Sequence, residues 1–268
     1  MSENITPGGL VIPRRTFSES DMIDVDPEHD AMLLTDALID FMPGGGLEVP
    51  DGDGIVPIIN RCFLFFPPEN CFEVGEDHPP GHSSFAKSFL DIPPFTRLMR
   101  ETVENWSIKD EARILSHKAD FTLRGLKFAF MFLEGQTLWT THGVRDTRGA
   151  QLHPDIKVNR IGFRAKKGFD PIVDAYDAFH DNFGRTAILA SVMRQRRIRR
   201  IFHLGLIEEV CVGWSVRGGL FEGFENVVVI DGTRRLDHER ANRQRRQLED
   251  MGVIYCYSEQ LRGQTFQD

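Results

Sequence analysis

Short apolar runs alternate with longer amphipathic stretches along most of the chain. The apolar runs are typical of strands buried on both faces of a sheet, and they predict strands at 31–35, 71–74, 159–165, 201–206, 227–230 and 253–257. The amphipathic stretches have helical spacing, and they predict helices at 54–65, 186–197, 212–221 and 239–251. Strands that alternate with helices imply a mostly parallel central sheet covered on both faces, which is a three-layer α/β/α fold.

The same pattern predicts one domain preceded by an arm. Residues 1–28 are rich in Pro, Gly, Ser and acidic residues, and we expect them to form an extended N-terminal arm. Residues 29–268 are expected to form a single α/β domain. Between 86 and 135 the pattern is less regular, with helices predicted at 94–106 and 110–118. We interpret 86–135 as a helical insertion after the second strand of the sheet.

Composition and charge narrow the class of function. The 268 residues carry a net charge of −8, which argues against a dedicated nucleic-acid-binding protein. Basic clusters at 194–200 and 240–246 are expected to be solvated helix faces. No apolar run is long enough to span a membrane, and the N-terminus has no apolar segment of a secretion signal. Since Cys62, Cys71, Cys211 and Cys256 follow no metal or disulfide spacing, we expect a reduced, cytoplasmic protein.

Residues able to do chemistry follow the predicted strands. Asp36, Glu76 and Cys211 each stand at a strand end, and sites of parallel sheets lie at the carboxyl ends of the strands. Cys211 also opens a predicted helix, where the helix dipole would lower the thiol pKa and favour a nucleophilic thiolate. The alternative is an inert core cysteine.

Glu76 and His78 suggest a metal site. They stand two residues apart just past an extended segment, so both point to one side. A carboxylate, an imidazole and one distant histidine would hold a divalent ion with open positions for water or substrate. His142 and His82 are candidates for the third ligand, with His153 behind them. The alternative is a surface loop with ordinary charges.

Three further features complete the candidate chemistry. Lys167 beside a cysteine would hold the sulfur as a thiolate; alone it would be an exposed lysine. Asp36 would act as a general acid and base, or would cap the following turn. Phe41, Trp139 and Tyr176 would wall an aromatic pocket, or would pack in the core.

Five segments in order along the chain carry recognisable motifs. They are DALIDFMPGGGL at 36–47, EDHPPGHSSF at 76–85, LWTTHGVRDTRGAQLHP at 138–154, KGFDP at 167–171 with DAYDAF at 174–179, and GLIEEVCV at 205–212. Together they resemble the nicotinamidase/pyrazinamidase group of the isochorismatase-like cysteine hydrolases. The resemblance covers most of residues 31–257.

The resemblance implies a metal-dependent amidohydrolase with an Asp–Lys–Cys triad, which maps onto Asp36, Lys167 and Cys211. The cysteine would attack an amide carbonyl, the aspartate would carry the proton to the leaving amine, and the lysine would stabilise the charges. The backbone N–H groups of Ile207 and Cys211 would form the oxyanion hole. The family often has a cis peptide at the position of Leu206 and Ile207.

It also implies a divalent ion, zinc or alternatively manganese or iron, on Glu76, His78 and His142. In nicotinamidases the metal binds the ring nitrogen of the pyridine and orders water. The positions that line the ring pocket correspond to Phe41, Trp139 and Tyr176. The expected partner is a small-molecule amide of pyridine nucleotide metabolism, with no nucleic acid and no membrane. The resemblance also implies a homo-oligomer.

Five features depart from the family's pattern, and we expect them at the pocket wall or rim. Leu38 and Ile39 replace a Gln and an Asn, Glu76 replaces the usual metal aspartate, and Gly143 replaces a cysteine. The residues before the nucleophile read IEEV, and the segment between 85 and 139 is long. We therefore expect nicotinamide or a related, bulkier or less polar ring amide as the substrate. The alternatives are another superfamily reaction, on a carbamoyl, ureido or other small amide, and a non-catalytic ligand-binding protein.

Overall fold

The secondary structure is that of an α/β protein. The computed structural model describes residues 21–266, so residues 1–20 of the arm expected at 1–28 lie outside the described residues. The strands are β1 (Ile23–Asp24), β2 (Asp30–Thr35), β3 (Cys71–Glu76), β4 (Arg97–Met99), β5 (Gly135–Thr137), β6 (Phe163–Lys167), β7 (Arg200–Leu206), β8 (Glu225–Arg234), β9 (Ile254–Cys256) and β10 (Leu261–Arg262). The helices are α1 (Val56–Cys62), α2 (Arg100–Asn105), α3 (Glu111–Ile114), α4 (Leu123–Phe130), α5 (Leu189–Gln195), α6 (Gly213–Phe221) and α7 (His238–Asp250).

The central sheet has the strand order β6-β3-β2-β7-β8-β9, and each neighbouring pair is parallel. The chain runs from β2 through β3 to β6, and then returns to the other side of β2 to form β7, β8 and β9. The order therefore reverses between β2 and β7. Open α/β sheets bind ligands at such a switch point, beyond the carboxyl ends of the strands.

Strand β2 shows how the sheet is covered on both faces. All six of its residues are buried, and successive side chains point to opposite faces. Met32 and Leu34 join the apolar cluster that contains α1, whereas Ala31 and Leu33 join the cluster that contains α5. The predicted three-layer α/β/α architecture is confirmed. Within residues 21–266, no helix is both long and apolar enough to cross a membrane.

The segment expected to be an insertion, 86–135, folds around an apolar cluster of its own. The helix predicted at 94–106 is wrong in its first half, because β4 pairs there with the distant strand β5 in an antiparallel ladder. Within 94–106 only α2 is helical, and the helix predicted at 110–118 shrinks to α3. The helix α4, which follows, was not predicted. A pairing between distant segments leaves no mark on the local pattern. Whether 86–135 is an insertion stays a prediction.

Other boundaries also differ from the predictions, and two of them belong to elements that carry the candidate residues. The strand predicted at 159–165 is observed as β6, since Val158–Arg160 forms a 3-10 turn. The Arg160 guanidinium anchors that turn by donating to the carbonyl oxygens of Phe63 and Phe66, both at 2.9 Å. The helix predicted at 212–221 is preceded by a π turn, Glu208–Val212, which continues into α6. Cys211 therefore lies inside the first turn, not ahead of it.

His203 in β7 is a fully buried histidine. Its Nε2 lies 2.7 Å from Asn226 Oδ1, and the amide nitrogen of Asn226 donates to the carbonyl oxygen of Phe224 at 2.8 Å. The amide oxygen therefore faces the ring, so Nε2 carries the proton and Nδ1 is left without a partner. Burial lowers the pKa of His203 to about 4.

Replacing this side chain should flatten the pH dependence of stability. The unfolded His203 binds a proton below its ordinary pKa of 6.5, whereas the folded one resists protonation down to about 4. Wild-type stability should therefore fall, through this residue, by about 3 kcal/mol as the pH drops from 7 to 4. His203→Gln keeps an N–H donor for Asn226 but does not titrate. Urea denaturation at pH 8, 7, 6, 5 and 4.5 measures the difference in slope, and parallel curves would contradict the assignment.

Candidate active site

Four neighbouring strands deliver one cluster of charged side chains at their carboxyl ends. Glu76 ends β3 and pairs in register with Lys167, which ends β6. Thr35 ends β2 between β3 and β7, so Asp36 emerges directly beside them. Cys211 stands in the turn that follows β7. The parallel register thus collects residues that are far apart in the sequence.

The Lys167 ammonium is the centre of this cluster. Its Nζ lies 2.9 Å from Asp36 Oδ2 and 3.5 Å from Glu76 Oε1. It also donates to the carbonyl oxygen of Ala175 at 3.0 Å and lies 3.4 Å from Cys211 Sγ. Asp36, Glu76 and Cys211 bring one ligand atom each within 4.8 Å of one another. The four ionisable side chains are at most 4% exposed, so each depends on the others for its charge balance.

Burial and mutual charge set the protonation states. Burial raises the pKa of Asp36 to about 6, although the Lys167 ammonium opposes the rise. Burial by itself would lower the pKa of Lys167, but Asp36, Cys211 and Glu76 together raise it well above its ordinary value. For Glu76, burial raises the pKa, yet His142, Lys167 and His78 together bring it well below its ordinary value. The cluster therefore holds an ammonium, an ionised glutamate and an aspartate that readily accepts a proton.

The expected lowering of the Cys211 pKa is wrong. Burial, the neighbouring Asp36 and Glu76 raise the pKa of this thiol well above its ordinary value, although Lys167 opposes the rise. Cys211 stands in the first helical turn, where the helix dipole favours a thiolate, but burial and the two carboxylates outweigh that effect. The thiol keeps its proton at rest, and ligand atoms of Cys211 and Asp36 lie within 4.8 Å of each other. Asp36 is thus placed to receive the proton when the sulfur attacks.

Glu76, His78 and His142 present converging donor atoms. Glu76 Oε1 lies 3.4 Å from His78 Nε2, and Oε2 lies 3.2 Å from His142 Nε2. The other ring nitrogens face backbone carbonyl oxygens: His78 Nδ1 lies 2.8 Å from that of Gly168, and His142 Nδ1 lies 2.7 Å from that of Thr140. A carbonyl only accepts, so both rings carry a proton on Nδ1, and each Nε2, which faces the carboxylate, is left to bind a second proton or a cation.

This arrangement fits a divalent cation. Two imidazole nitrogens and a carboxylate that face one another in a buried site require positive charge, which a divalent cation supplies when both Nε2 atoms are unprotonated, and Glu76 Oε2 has no hydrogen-bond partner. Histidine ligands of metals donate their other ring N–H to a carbonyl or carboxylate in the same way. Glu76, His78 and His142 each offer one ligand atom, and these three atoms lie within 4.8 Å of one another.

The other candidate ligands are placed differently. His82 groups with His78 and Asp174 instead, and its Nδ1 accepts from the backbone N–H of Ser84 at 3.2 Å. His153 accepts from the N–H of Asp155 at 3.2 Å and belongs to no such group in the part of the chain that the structure describes. The adjacent carboxylate, Asp77, forms an ion pair of 3.3 Å with Arg145. Of the two acidic residues in the motif, Glu76 faces the histidines.

The aromatic residues expected to line a pocket pack in the same apolar cluster as Cys211. The ring of Phe41 meets His142 edge-on at 5.3 Å. Trp139 Nε1 donates to Tyr176 Oη at 3.1 Å, and burial raises the pKa of that hydroxyl well above its ordinary value. Neutral aromatic walls beside a nucleophile suit a flat, uncharged ring. Their role as substrate contacts stays a prediction.

The peptide between Leu206 and Ile207 is cis, as the resemblance implied. It joins β7 to the turn that carries Cys211. The backbone N–H of Ile207 precedes that turn, and the N–H of Cys211 lies within it. Their use as an oxyanion hole stays a prediction.

Asp40 connects two loops of the site, and the sequence analysis did not predict this role. Its Oδ1 accepts from the N–H of Gly46 at 3.2 Å, and its Oδ2 accepts from the N–H of Gly143 at 2.9 Å. The glycine loop is thereby tied to the loop that carries His142. The only available signal was the position of Asp40 inside the first motif, and an aspartate before a Pro-Gly stretch is equally typical of an ordinary turn.

Glu208 and Glu209, two of the residues that depart from the family's pattern, direct their carboxylates to the connection between β8 and α7. Glu208 Oε2 lies 2.7 Å from Arg235 Nη2. Glu209 Oε1 accepts from the backbone N–H groups of Leu236 and Asp237 at 3.0 and 2.8 Å. They support the turn that holds Cys211 from behind.

Comparisons with known proteins agree with this geometry. No family model matches the chain. The nicotinamidase of Escherichia coli is 32% identical over 212 residues, which cover 76% of this chain and 82% of the relative. A solved nicotinamidase/pyrazinamidase from Acinetobacter baumannii has a TM-score of 0.71 at 25% identity, covering 88% of this chain and 99% of that chain. The pyrazinamidase of Pyrococcus horikoshii, solved in complex with zinc, has a TM-score of 0.59 at 23% identity and covers 86% of this chain and 99% of that one.

Removing the Lys167 ammonium should lower the stability of the fold by an amount that depends on pH. In the presence of a chelator, Lys167→Met should lower the free energy of unfolding at pH 8 by about 3–5 kcal/mol, because it leaves buried carboxylates uncompensated. Without the ammonium, the pKa of Asp36 rises further, so the loss should shrink at pH 5.5, where Asp36 is protonated. Urea denaturation at the two pH values measures both effects.

Asp36→Asn in the Lys167→Met background is the control. It removes one of the unpaired carboxylates and should recover part of the stability at pH 8. A loss of equal size at both pH values, or no recovery in the double variant, would contradict the proposed charge balance.

Proposed function

This chain belongs to the nicotinamidase family, and we propose on that basis that it hydrolyses nicotinamide, or a related heteroaromatic amide, to the carboxylic acid and ammonia. It is an amidohydrolase that acts on the C–N bond of amides. The observation that carries the finer proposal is the buried contact of Asp36, Lys167 and Cys211. These three residues are proposed as the catalytic triad.

The first half of the reaction forms a thioester. Cys211 Sγ attacks the amide carbonyl carbon while its proton passes to Asp36, whose raised pKa suits it as a base near neutral pH. The tetrahedral intermediate then collapses, the C–N bond breaks, and Asp36 returns the proton to the leaving nitrogen, which departs as ammonia.

The second half releases the acid. A water molecule attacks the thioester carbonyl, and Asp36 takes one of its protons. The C–S bond breaks as the second intermediate collapses, and the Cys211 sulfur recovers the proton from Asp36. The sum is one amide and one water converted to one acid and one ammonia, with the enzyme unchanged.

Lys167 stabilises the negative charge that moves through this cycle. Its ammonium lies within 3.5 Å of Asp36 Oδ2 and of Cys211 Sγ, so it stays beside the charge whether sulfur or carboxylate carries it. The N–H groups of Ile207 and Cys211 are proposed to bind the carbonyl oxygen as it becomes negative. Phe41, Trp139 and Tyr176 are proposed to hold the ring.

Glu76, His78 and His142 are proposed to bind a divalent ion, with zinc as the first candidate and manganese or iron as alternatives. The donor set supports this, and a family relative has been solved with zinc. When bound, such an ion supplies a Lewis acid with open positions for a ring nitrogen and for water. A cytoplasmic location and a homo-oligomeric state stay predictions.

The activity has a direct test. Purified protein loaded with zinc or manganese should release ammonia from nicotinamide, and Cys211→Ala should lower kcat by about 10⁴-fold or more, since a nucleophile has no substitute. Ammonia and the acid product are quantified together, with Cys211→Ser and the distant surface variant Gly223→Ala as controls. Ammonia release that survives Cys211→Ala would rule out the triad. Release from carbamoyl or ureido compounds but not from nicotinamide would favour the other superfamily reaction.

Metal removal tests the proposed dependence of the activity on a divalent ion. Extensive chelation should abolish the activity, and stoichiometric zinc or manganese should restore it. His142→Ala should raise the metal concentration needed for restoration, because it removes one of three ligands. Full activity in chelator, with metal content verified by elemental analysis, would exclude the proposed metal dependence.

A further inference from the structure

Gly143 stands directly after His142 and lies against the Glu76 side chain. Its φ is +56°, in the left-handed region that favours glycine. A Cβ atom at this position would lie 2.4 Å from Glu76 Oε2 and 2.7 Å from Glu76 Cβ. Both distances are far below van der Waals contact, so any side chain here would collide with Glu76.

The Gly143 backbone is held on both sides and has no freedom to withdraw. Its N–H donates to Asp40 Oδ2 at 2.9 Å, and its carbonyl oxygen accepts from the N–H of His78 at 3.0 Å. Asp40 is packed in turn against Gly149, where a Cβ would lie 2.1 Å from Asp40 Oδ2. A collision at 143 would therefore be relieved by Glu76 or by the His142 loop.

Glu76 has little freedom either. It is 3% exposed and ends β3 in register with Lys167. Its two oxygens are directed at His78 Nε2 and His142 Nε2. Any shift of this carboxylate changes the spacing of all three donor atoms.

We propose that Gly143 is a positioning residue that provides the space for a glutamate ligand, so that Glu76 and Gly143 act as a matched pair that sets the affinity of the metal site. The inference rests on the proposed binding of a divalent ion by Glu76, His78 and His142. A residue with a Cβ at 143 would push the glutamate oxygen out of line, whereas a shorter aspartate would leave part of that volume free.

The test is metal binding, measured without reference to activity. Zinc and manganese are titrated into stripped protein by calorimetry or by competition with a chromogenic chelator. Gly143→Ala should bind roughly 10–100-fold more weakly than wild type, the range found when the surroundings of a metal ligand are disturbed. Circular dichroism and thermal unfolding establish that the variant is folded.

Gly223→Ala is the matched control. Gly223 has a φ of +86°, but a Cβ there would meet nothing within 4 Å. This variant also places a Cβ at a positive φ but without the collision, so its metal affinity should equal that of wild type. A similar loss in both variants would mean that strain, and not the contact with Glu76, is responsible, and would overturn the proposal.

Glu76→Asp supplies the second test. Alone it should weaken binding, because the carboxylate is withdrawn from the histidines. In the Gly143→Ala background it also removes the colliding atoms beyond Cβ, so the double variant should bind at least about fivefold more tightly than the two separate losses predict, in the manner of coupled neighbours. Losses that simply multiply, or Gly143→Ala with wild-type affinity, would overturn the pairing.

Two remaining outcomes are also decisive. If Gly143→Ala does not fold, addition of Glu76→Asp should restore the folded protein, and failure to restore it would overturn the pairing. If wild-type protein binds neither zinc nor manganese, the proposed metal site itself is wrong, and the inference falls with it. The first outcome concerns the contact between Gly143 and Glu76 and the second concerns the metal site itself, so the two failures are distinguishable.

Discussion

The buried ammonium of Lys167 is the interaction on which the site depends. A charge removed from water is costly unless opposite charges and hydrogen bonds replace the lost hydration. Asp36, Glu76 and the carbonyl oxygen of Ala175 provide that replacement, all within 3.5 Å of Nζ. They come from different strands and loops, so the parallel register at this end of the sheet has to be correct for any of these charges to be buried.

The same cluster gives its two carboxylates opposite properties. Asp36 has a pKa raised to about 6, mainly by burial, whereas the positive neighbours of Glu76 keep its pKa well below the ordinary value despite burial. A carboxylate that accepts and returns a proton near neutral pH suits general acid–base chemistry, and one that stays ionised suits a cation. Environment, not residue type, divides these roles, and the Cys211 thiol lies close to Asp36, the carboxylate with the raised pKa.

The sequence predicted what depends on local pattern and failed where distant contacts decide. Apolar runs located β2 and β7, because strands buried on both faces have an unmistakable composition. The first half of the helix expected at 94–106 is instead β4, since its partner β5 is remote in sequence. The motifs identified the residues of the cluster, yet the pKa of Cys211 was misjudged, because a helix start is visible in the sequence and two buried carboxylates around the sulfur are not.

Contacts in the folded structure also relate the residues that depart from the family's motifs. Glu76 and Gly143 appear unrelated along the chain, but the volume that a Cβ at 143 would need is occupied by the Glu76 carboxylate. The longer ligand and the missing side chain are therefore complementary. Glu208 and Glu209 direct their carboxylates to Arg235 and to the start of α7, so they alter the support of the nucleophile and not the groups that face it. None of these four changes removes a group from the Asp36–Lys167–Cys211 contact, and the chemistry of the cluster is therefore compatible with each of them.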